Sequence, residues 1–314
     1  MDAGTAGETH SAGSPNVAGA TNFAGSPGAG SPSVAGGDGE ETGGVASGGS
    51  AGHPAGAAGS PATGSGVLPS EACGGDVPAP TDGYQEIQVG TEARRFILHL
   101  PPTYDRKKAF PAITTYHSKG DGATQWDSVK FYYKVAAGAG NVLVYMEALA
   151  DPKLGGDLSF ERDSADDLLY VDAVVTWLRS HVCFDTNRLF ALGHSNGATF
   201  VQDLGCHRPK LFRAIATHAG DVGSVTGCGG AVPAWVSYGD GDNANQIAAS
   251  KTRRDFWTTT NGCSPNGAPA DPAPCLLQAA CTSGKPVEFC EDTMGDHKWS
   301  AWMSGATASF FASF

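Results

Sequence analysis

Short apolar runs alternate with longer helix-compatible stretches from about residue 95 onward. The runs are continuous and rich in β-branched or aromatic residues, which is typical of buried strands. They cover residues 112–116, 142–146, 189–192, 213–217 and 234–238, and a last strand is predicted at 287–290. Residues 95–100 instead alternate apolar and polar positions as an outer strand does. The pattern predicts a sheet with mostly buried strands.

Helical periodicity fills the intervals between these runs. Leu168, Val171, Val175 and Leu178 recur at helical spacing, and a second helix is predicted over residues 198–204. Strand and helix in repeated alternation predict a mostly parallel, doubly wound sheet with helices on both faces. Ligands of such sheets bind beyond the carboxyl ends of the strands. We therefore expect the functional residues in the loops that follow the strands.

The pattern is missing from residues 1–70, which are almost entirely Gly, Ala, Ser, Pro and Thr. The block Ala-Gly-Ser-Pro recurs there, beginning at Ala12, Ala24, Ala29 and Ala58. Such a segment cannot bury enough apolar surface to offset the entropy of ordering it. We predict a disordered tether over residues 1–70 and one catalytic domain over residues 71–314.

Charge and hydropathy exclude several classes of partner. The net charge of the chain is −12, and from residue 72 onward 26 carboxylates face 20 Lys and Arg, a net of −6. An acidic domain is a poor ligand for nucleic acid or an anionic membrane. No apolar run approaches the roughly 20 residues needed to span a bilayer, and no export signal is recognisable in this chain. We expect a monomer.

All eight cysteines fall at Cys73 or later, and none forms a Cys-x-x-Cys pair. That spacing favours structural disulfides over a metal site. Disulfides form in an oxidising compartment, so we expect a secreted or cell-surface-tethered protein. We expect no metal and no cofactor.

Two serines match the pattern Gly-x-Ser-x-Gly. Ser50 lies within the predicted tether, where no base can be held beside its hydroxyl. Ser195 follows the apolar run at residues 189–192 and precedes the predicted helix, which is the setting of a nucleophile elbow in an α/β-hydrolase. Ser195 is therefore the candidate nucleophile.

A serine nucleophile needs an imidazole base oriented by a carboxylate, and in this fold they follow in the order Ser, acid, His. The loop after residues 234–238 offers two acids, Asp240 and Asp242. One histidine follows that loop, His297, which is the candidate base. His207 and His218 precede the acids, and His218, at a strand end, is the stronger rival. These residues leave the choice between Asp240 and Asp242 open.

The oxyanion of an acyl-transfer intermediate needs backbone N–H donors. One is expected from Asn196, directly after the nucleophile, and the other from Ser118 or Lys119 in the loop after residues 112–116. His117 is expected to shape that loop. A pocket for a planar acyl group has three candidate lining elements, which are Trp299, His117 and the cluster at residues 131–133. Aromatic residues more often complete a core.

These motifs resemble secreted feruloyl esterases of carbohydrate esterase family one and the related poly(3-hydroxybutyrate) depolymerase-like enzymes. The resemblance runs from residue 72 almost to the C-terminus. It is carried by residues 95–101, 182–188, 191–197, 261–263 and 295–297. In the family the acid falls three residues after the glycine of its loop, which implies Asp242 rather than Asp240.

The resemblance also implies a disulfide framework. Its pairs are Cys73 with Cys183, Cys206 with Cys228 and Cys263 with Cys281, which leaves Cys275 and Cys290 as a fourth pair. One departure concerns the oxyanion loop, where Asp121 replaces the second of two glycines. That replacement weakens the oxyanion assignment relative to the Ser195, Asp242 and His297 triad.

Three hypotheses of function follow. The first is a serine carboxylesterase that hydrolyses hydroxycinnamate (feruloyl) or short-chain acyl esters of plant polysaccharide through an acyl-enzyme. The second keeps the same triad and takes a polyester, either poly(3-hydroxybutyrate) or an aromatic one. The third is a catalytically silent, tethered binding module, against which the complete triad argues.

Overall fold

The computed structural model describes residues 66–314, except residues 77, 130–139, 161–164, 224–226 and 294. The predicted tether up to residue 65 and the aromatic cluster at residues 131–133 lie outside the described residues. None of the described helices is both long and apolar enough to cross a membrane.

Ten strands of the described chain form one sheet, and two more form a small hairpin. In chain order the strands are β1 (Gly83–Val89), β2 (Glu92–His99), β3 (Phe110–Tyr116), β4 (Val142–Met146), β5 (Ala150–Asp151), β6 (Asp157–Leu158), β7 (Phe184–His194), β8 (Ala214–His218), β9 (Ala234–Gly239), β10 (Ala268–Pro269), β11 (Leu276–Gln278) and β12 (Val287–Asp292). The hairpin consists of β5 and β6.

The order of the strands in the sheet is β1-β2-β4-β3-β7-β8-β9-β12-β11-β10. The strands from β4 to β12 in that order pair in parallel, and antiparallel strands close both edges. Each predicted buried run lies in one of the parallel strands, which confirms the predicted fold class. The outer-strand assignment of residues 95–100 is wrong, because β1 pairs along the far side of β2 and covers it.

Five helices of the described chain flank the sheet. They are α1 (Ala123–Val129), α2 (Ala165–His181), α3 (Asn196–His207), α4 (Ala244–Asn261) and α5 (Ala301–Ala312). The two predicted helices correspond to α2 and α3. Because side chains alternate along a strand, β4 sends Val142 and Val144 into a core with α2, α3 and α4, and Leu143 and Tyr145 into a core with α1 and α5. Both faces of the sheet are thus buried.

Four disulfides stabilise the loops around this sheet. They join Cys73 to Cys183, Cys206 to Cys228, Cys263 to Cys281 and Cys275 to Cys290, so the pairing implied by the resemblance is confirmed. Hydrogen bonds from residues in the segment 66–70 reinforce the region around the Cys73–Cys183 disulfide. The amide of Leu68 donates to Asp185 at 2.9 Å, and the Ser70 hydroxyl donates to the Val182 carbonyl at 2.6 Å. Residues 66–70 therefore pack on the domain.

Candidate active site

Ser195 lies in a sharp turn between the end of β7 and the start of α3. Its φ is 55°, a left-handed conformation that non-glycine residues seldom adopt. The turn needs glycine on both sides, because a Cβ on Gly193 would lie 2.3 Å from the carbonyl oxygen of Gly197. A Cβ on Gly197 would in turn lie 2.1 Å from the carbonyl oxygen of Tyr116. The two glycines of the motif thus allow strand, helix and β3 to pack closely around the serine.

A chain of hydrogen bonds links Ser195 to a buried carboxylate. The Ser195 Oγ lies 2.8 Å from Nε2 of His297, and Nδ1 of His297 lies 2.7 Å from Oδ1 of Asp242. A carboxylate only accepts, so Nδ1 carries the proton and Nε2 presents its lone pair to the serine hydroxyl. The three residues come from the loops after β7, β9 and β12, which meet because these strands are parallel.

The protein holds Asp242 as an ion. Burial of the carboxyl opposes ionisation, but the hydrogen bonds from His297 and from the backbone N–H of Gly239 outweigh it and lower the pKa of Asp242. Asp240, two residues earlier, is exposed on the surface. Its pKa is raised by partial desolvation and by the neighbouring Glu291 carboxylate. Of the two acids that the sequence left open, the structure brings Asp242 to the histidine.

The rival histidines occupy other positions. His218 is completely buried at the end of β8, with Nδ1 bonded at 2.8 Å to the Ser237 hydroxyl, and burial lowers its pKa to about 4. Its ring stacks on that of His194, with centroids 5.4 Å apart, and its backbone carbonyl accepts the Ser195 N–H. His207 is the last residue of α3, at the far end of the helix from the serine.

His117 fixes the loop after β3, which the sequence predicted to supply an oxyanion donor. Nε2 of this buried ring accepts the backbone N–H of Ala148 at 3.1 Å, so Nδ1 carries the proton and donates to the Ser118 carbonyl at 2.8 Å. Burial lowers the pKa of His117, which keeps the ring neutral. In a trans peptide the C=O and the next N–H point in opposite directions. The N–H of Lys119 is therefore directed away from the His117 ring.

Ser195 opens into a cavity of about 550 Å³. The residues that line it include Lys119, Asp151, Lys153, Leu154, Ser159, Phe160, Ser195, Asn196, Ala219, Asp221 and Gln246. The sequence indicated three of them, Ser195, Asn196 and Lys119. The wall formed by the β5–β6 hairpin and Phe160 was missed, because its residues carry no motif and reach the site only through the path of the chain after β4.

The sequence predicted His117 and Trp299 as pocket residues. Both are buried, and neither is among the described residues that line this cavity. The Trp299 indole donates to the Ser304 hydroxyl at 2.8 Å, and its ring packs edge-on against His218. His117 packs on Phe160, with ring centroids 4.8 Å apart. Both side chains thus support residues of the site from the core.

Metal-ligand atoms come together once in the described part of the chain, at Cys275, Glu288 and Cys290. The two sulfurs form a disulfide with each other, so they offer no thiolate to an ion. Burial raises the pKa of Glu288 to about 7, and its carboxyl accepts from the Trp235 indole at 3.2 Å. This cluster is best understood as a cross-linked part of the core.

No family model matches the chain. Curated relatives match most of it: feruloyl esterase D of Neurospora crassa is 25% identical over 248 residues, which cover 74% of this chain and 83% of that protein. Feruloyl esterase C of Emericella nidulans is 27% identical over 204 residues, which cover 62% of this chain and 72% of that protein. The resemblance noted in the sequence is therefore confirmed.

Solved structures show the same fold. A CE1 ferulic acid esterase from Anaeromyces mucronatus, in complex with ferulic acid, has a TM-score of 0.51 at 16% identity and covers 75% of this chain and 91% of its own. A dipeptidyl peptidase 4 from Porphyromonas gingivalis has a TM-score of 0.54 at 10% identity, over 75% of this chain and 36% of its own. In sequence the chain is similar to curated feruloyl esterases, and it has the α/β-hydrolase fold that it shares with the ferulic acid esterase structure.

Proposed function

We propose that the protein is a serine carboxylesterase that hydrolyses feruloyl and similar hydroxycinnamoyl esters through an acyl-enzyme. The observation that carries the proposal is the continuous hydrogen-bond chain from Asp242 through His297 to Ser195, which ends at an open cavity. The relatives named feruloyl esterase support the choice of acyl group.

In the first half of the reaction, Nε2 of His297 takes the proton of the Ser195 hydroxyl as its oxygen attacks the ester carbonyl. The positive charge that develops on the imidazole is stabilised by the Asp242 carboxylate at 2.7 Å. His297 then gives the proton to the leaving alkoxide, and the C–O bond to the alcohol breaks. The product is free alcohol and an ester of Ser195.

The second half repeats these steps with water. His297 removes a proton from a water molecule, whose oxygen attacks the acyl-enzyme carbonyl, and then returns the proton to the Ser195 oxygen as the acid leaves. His297 has a partly exposed side chain, 39% accessible, which allows water to reach it. The carboxylic acid and the original hydroxyl are regenerated.

Both tetrahedral intermediates carry an oxyanion. Its first donor is the backbone N–H of Asn196, at the N-terminus of α3, where the helix dipole also favours negative charge. The second is expected from Ser118 or Lys119. Lys119 is favoured because it lines the cavity, as Ser118 does not, and because its backbone N–H points away from the His117 ring.

The natural ester is expected to be a feruloylated plant polysaccharide, met outside the cell. Four disulfides fit an oxidising compartment, and the relatives named feruloyl esterase support the feruloyl ester. These expectations also include the monomeric state and a tether that ends before residue 66, because residues 66–70 pack on the domain.

Initial rates on a panel of esters test the proposal. The panel is methyl ferulate, acetylated xylan, poly(3-hydroxybutyrate), an aromatic polyester film and a palmitoyl ester, with Ser195→Ala as the blank for each. Methyl ferulate should be turned over faster than the polyesters and the palmitoyl ester. Equal or higher rates on a polyester would support the second hypothesis, and equal rates on palmitoyl esters would indicate a lipase.

A further inference from the structure

The side chain of Asn196 makes two hydrogen bonds to the backbone of a single residue 36 positions away. Its Oδ1 accepts the N–H of Phe160 at 2.9 Å, and its Nδ2 donates to the C=O of Phe160 at 3.0 Å. The amide thus pairs with Phe160 as a neighbouring strand would. The residue that follows the nucleophile is in this way fixed to a separate segment of the chain.

That segment is the wall of the cavity that follows the β5–β6 hairpin. Ser159 and Phe160 both line the cavity, and the N–H of Ser159 closes the hairpin by donating to the Leu149 carbonyl at 3.1 Å. The Phe160 ring is buried and stacks on Phe200 of α3, with centroids 5.2 Å apart. The Asn196 side chain therefore holds the backbone of Phe160, while the Phe160 ring is packed in the core.

The order of the strands indicates which part of the substrate meets this wall. The wall follows β4, on one side of β7 and the nucleophile, whereas Gln246 and His297 follow β9 and β12 on the other side. The alcohol must leave beside His297, because it takes its proton from that residue. The acyl group then extends toward the opposite end, against Ser159 and Phe160.

We propose that the Asn196 side chain is a positioning group that sets the acyl-binding wall, and so determines preference for a large planar acyl group over a small one. The proposal rests on the proposed function. Its physical basis is that loss of the amide leaves the Phe160 N–H and C=O without these partners, and unpaired buried polar groups are costly. The wall then moves or takes up water, and a large acyl group loses its contact surface.

The backbone N–H of residue 196 remains in Asn196→Ala, so the oxyanion donor is retained. The decisive quantity is therefore the ratio of kcat/KM for methyl ferulate to that for methyl acetate, two esters with the same alcohol. Two neutral hydrogen bonds correspond to roughly a tenfold fall in this ratio. Most of the fall should come from a higher KM for methyl ferulate. Asn187→Ala, on the half-buried first part of β7 far from Ser195, is the matched control and should leave the ratio unchanged.

A double-mutant cycle with Phe160→Leu separates the positioning role from general loss of stability. If Asn196 acts through the wall, Asn196→Ala should change the ratio much less in the Phe160→Leu background than alone. Additive effects, or an equal loss on both esters by Asn196→Ala, would overturn the proposal. The melting temperature of each variant is measured first, so that every assay is run below the temperature at which that variant unfolds.

The outcomes also separate this proposal from the proposed function. A wild-type protein that hydrolyses neither ester refutes the function itself and the positioning role with it. A wild-type protein that hydrolyses both, with the ratio unchanged in Asn196→Ala, leaves the esterase intact and refutes only the positioning role.

Discussion

His297 and His218 lie in one cluster of neighbouring imidazoles, yet only one of them has the surroundings of a general base. His194 stands between them, with ring centroids 5.2 Å from His297 and 5.4 Å from His218. His297 is partly open to the cavity and bonded to a carboxylate, whereas His218 is fully buried and bonded to a serine hydroxyl. The comparison shows that a carboxylate partner and access to solvent distinguish a base from a packing residue.

The largest expected effect comes from His297→Ala. Without the imidazole, Ser195 has no group to accept its proton, so kcat on methyl ferulate should fall by roughly 10⁴-fold. His218→Gln should retain kcat within about tenfold, because the ring takes no proton in the reaction. Steady-state rates below the melting temperature of each variant check this, and similar losses in both would end the distinction between the two histidines.

Replacement of the acids tests the carboxylate side of the comparison. Asp242→Asn can present its amide N–H to Nδ1 of His297 and so favour the wrong tautomer, for which the loss of kcat is on the order of 10³- to 10⁴-fold. Asp240→Asn, exposed and two residues away, should change kcat by less than about threefold. The paired kinetics would contradict the assignment if Asp240→Asn were the more damaging variant.

His218 should affect the free energy of unfolding rather than kcat. Its pKa of about 4 in the folded protein lies below the ordinary value of about 6.5, so between these pH values the unfolded chain binds the additional proton. The neutral His218 side chain contributes on the order of 3 kcal/mol to the free energy of unfolding. This contribution is complete above pH 6.5 and is lost as pH falls toward 4. Denaturant unfolding at several pH values should show this slope.

His218→Gln is the control for that slope, because it removes the titrating group while it keeps a polar side chain beside Ser237. Its free energy of unfolding should depend less on pH between 6.5 and 4 than that of the wild type. An unchanged slope would mean that His218 titrates normally and that its burial has no such effect.

The smallest effect is expected from truncation at the N-terminus. This experiment tests whether residues before 66 contribute to the stability of the domain that holds both histidines. Deletion of residues 1–65 removes a segment poor in apolar side chains and should change neither Tm nor kcat. Deletion of residues 1–70 also removes the Leu68 and Ser70 hydrogen bonds and should lower Tm by several degrees. Thermal unfolding compares the two, and a large loss from the shorter deletion would show that residues 1–65 pack on the domain.

Much of the site could be predicted because its signals are local. Ser195 stands between an apolar run and a helical one, and the glycines beside it are required by contacts of under 3 Å. His297 could be identified by its place after the acidic loop. The choice of Asp242 over Asp240 needed the resemblance, because the direction of each side chain depends on the turn that places the Asp242 carboxylate on the N–H of Gly239.

The remainder depends on contacts between distant residues. The pairing of Asn196 with Phe160 joins two segments that neither spacing nor composition relates, and the hairpin over residues 150–158 is too short and too polar to form a periodic pattern. Strand β1 was missed because only alternate residues are partly buried, and its presence moved β2 from the edge to the interior. Sequence patterns thus indicate buried strands well and the walls of the cavity poorly.

Covalent labelling tests the central claim most directly. The wild-type protein is treated with a small aryl fluorophosphonate, which reacts with a serine only where a base and oxyanion donors activate it. The account predicts one adduct, on the tryptic peptide that contains Ser195, with loss of esterase activity in step with labelling and no adduct in Ser195→Ala or His297→Ala. Labelling of another residue, or full esterase activity with Ser195 completely modified, would contradict it.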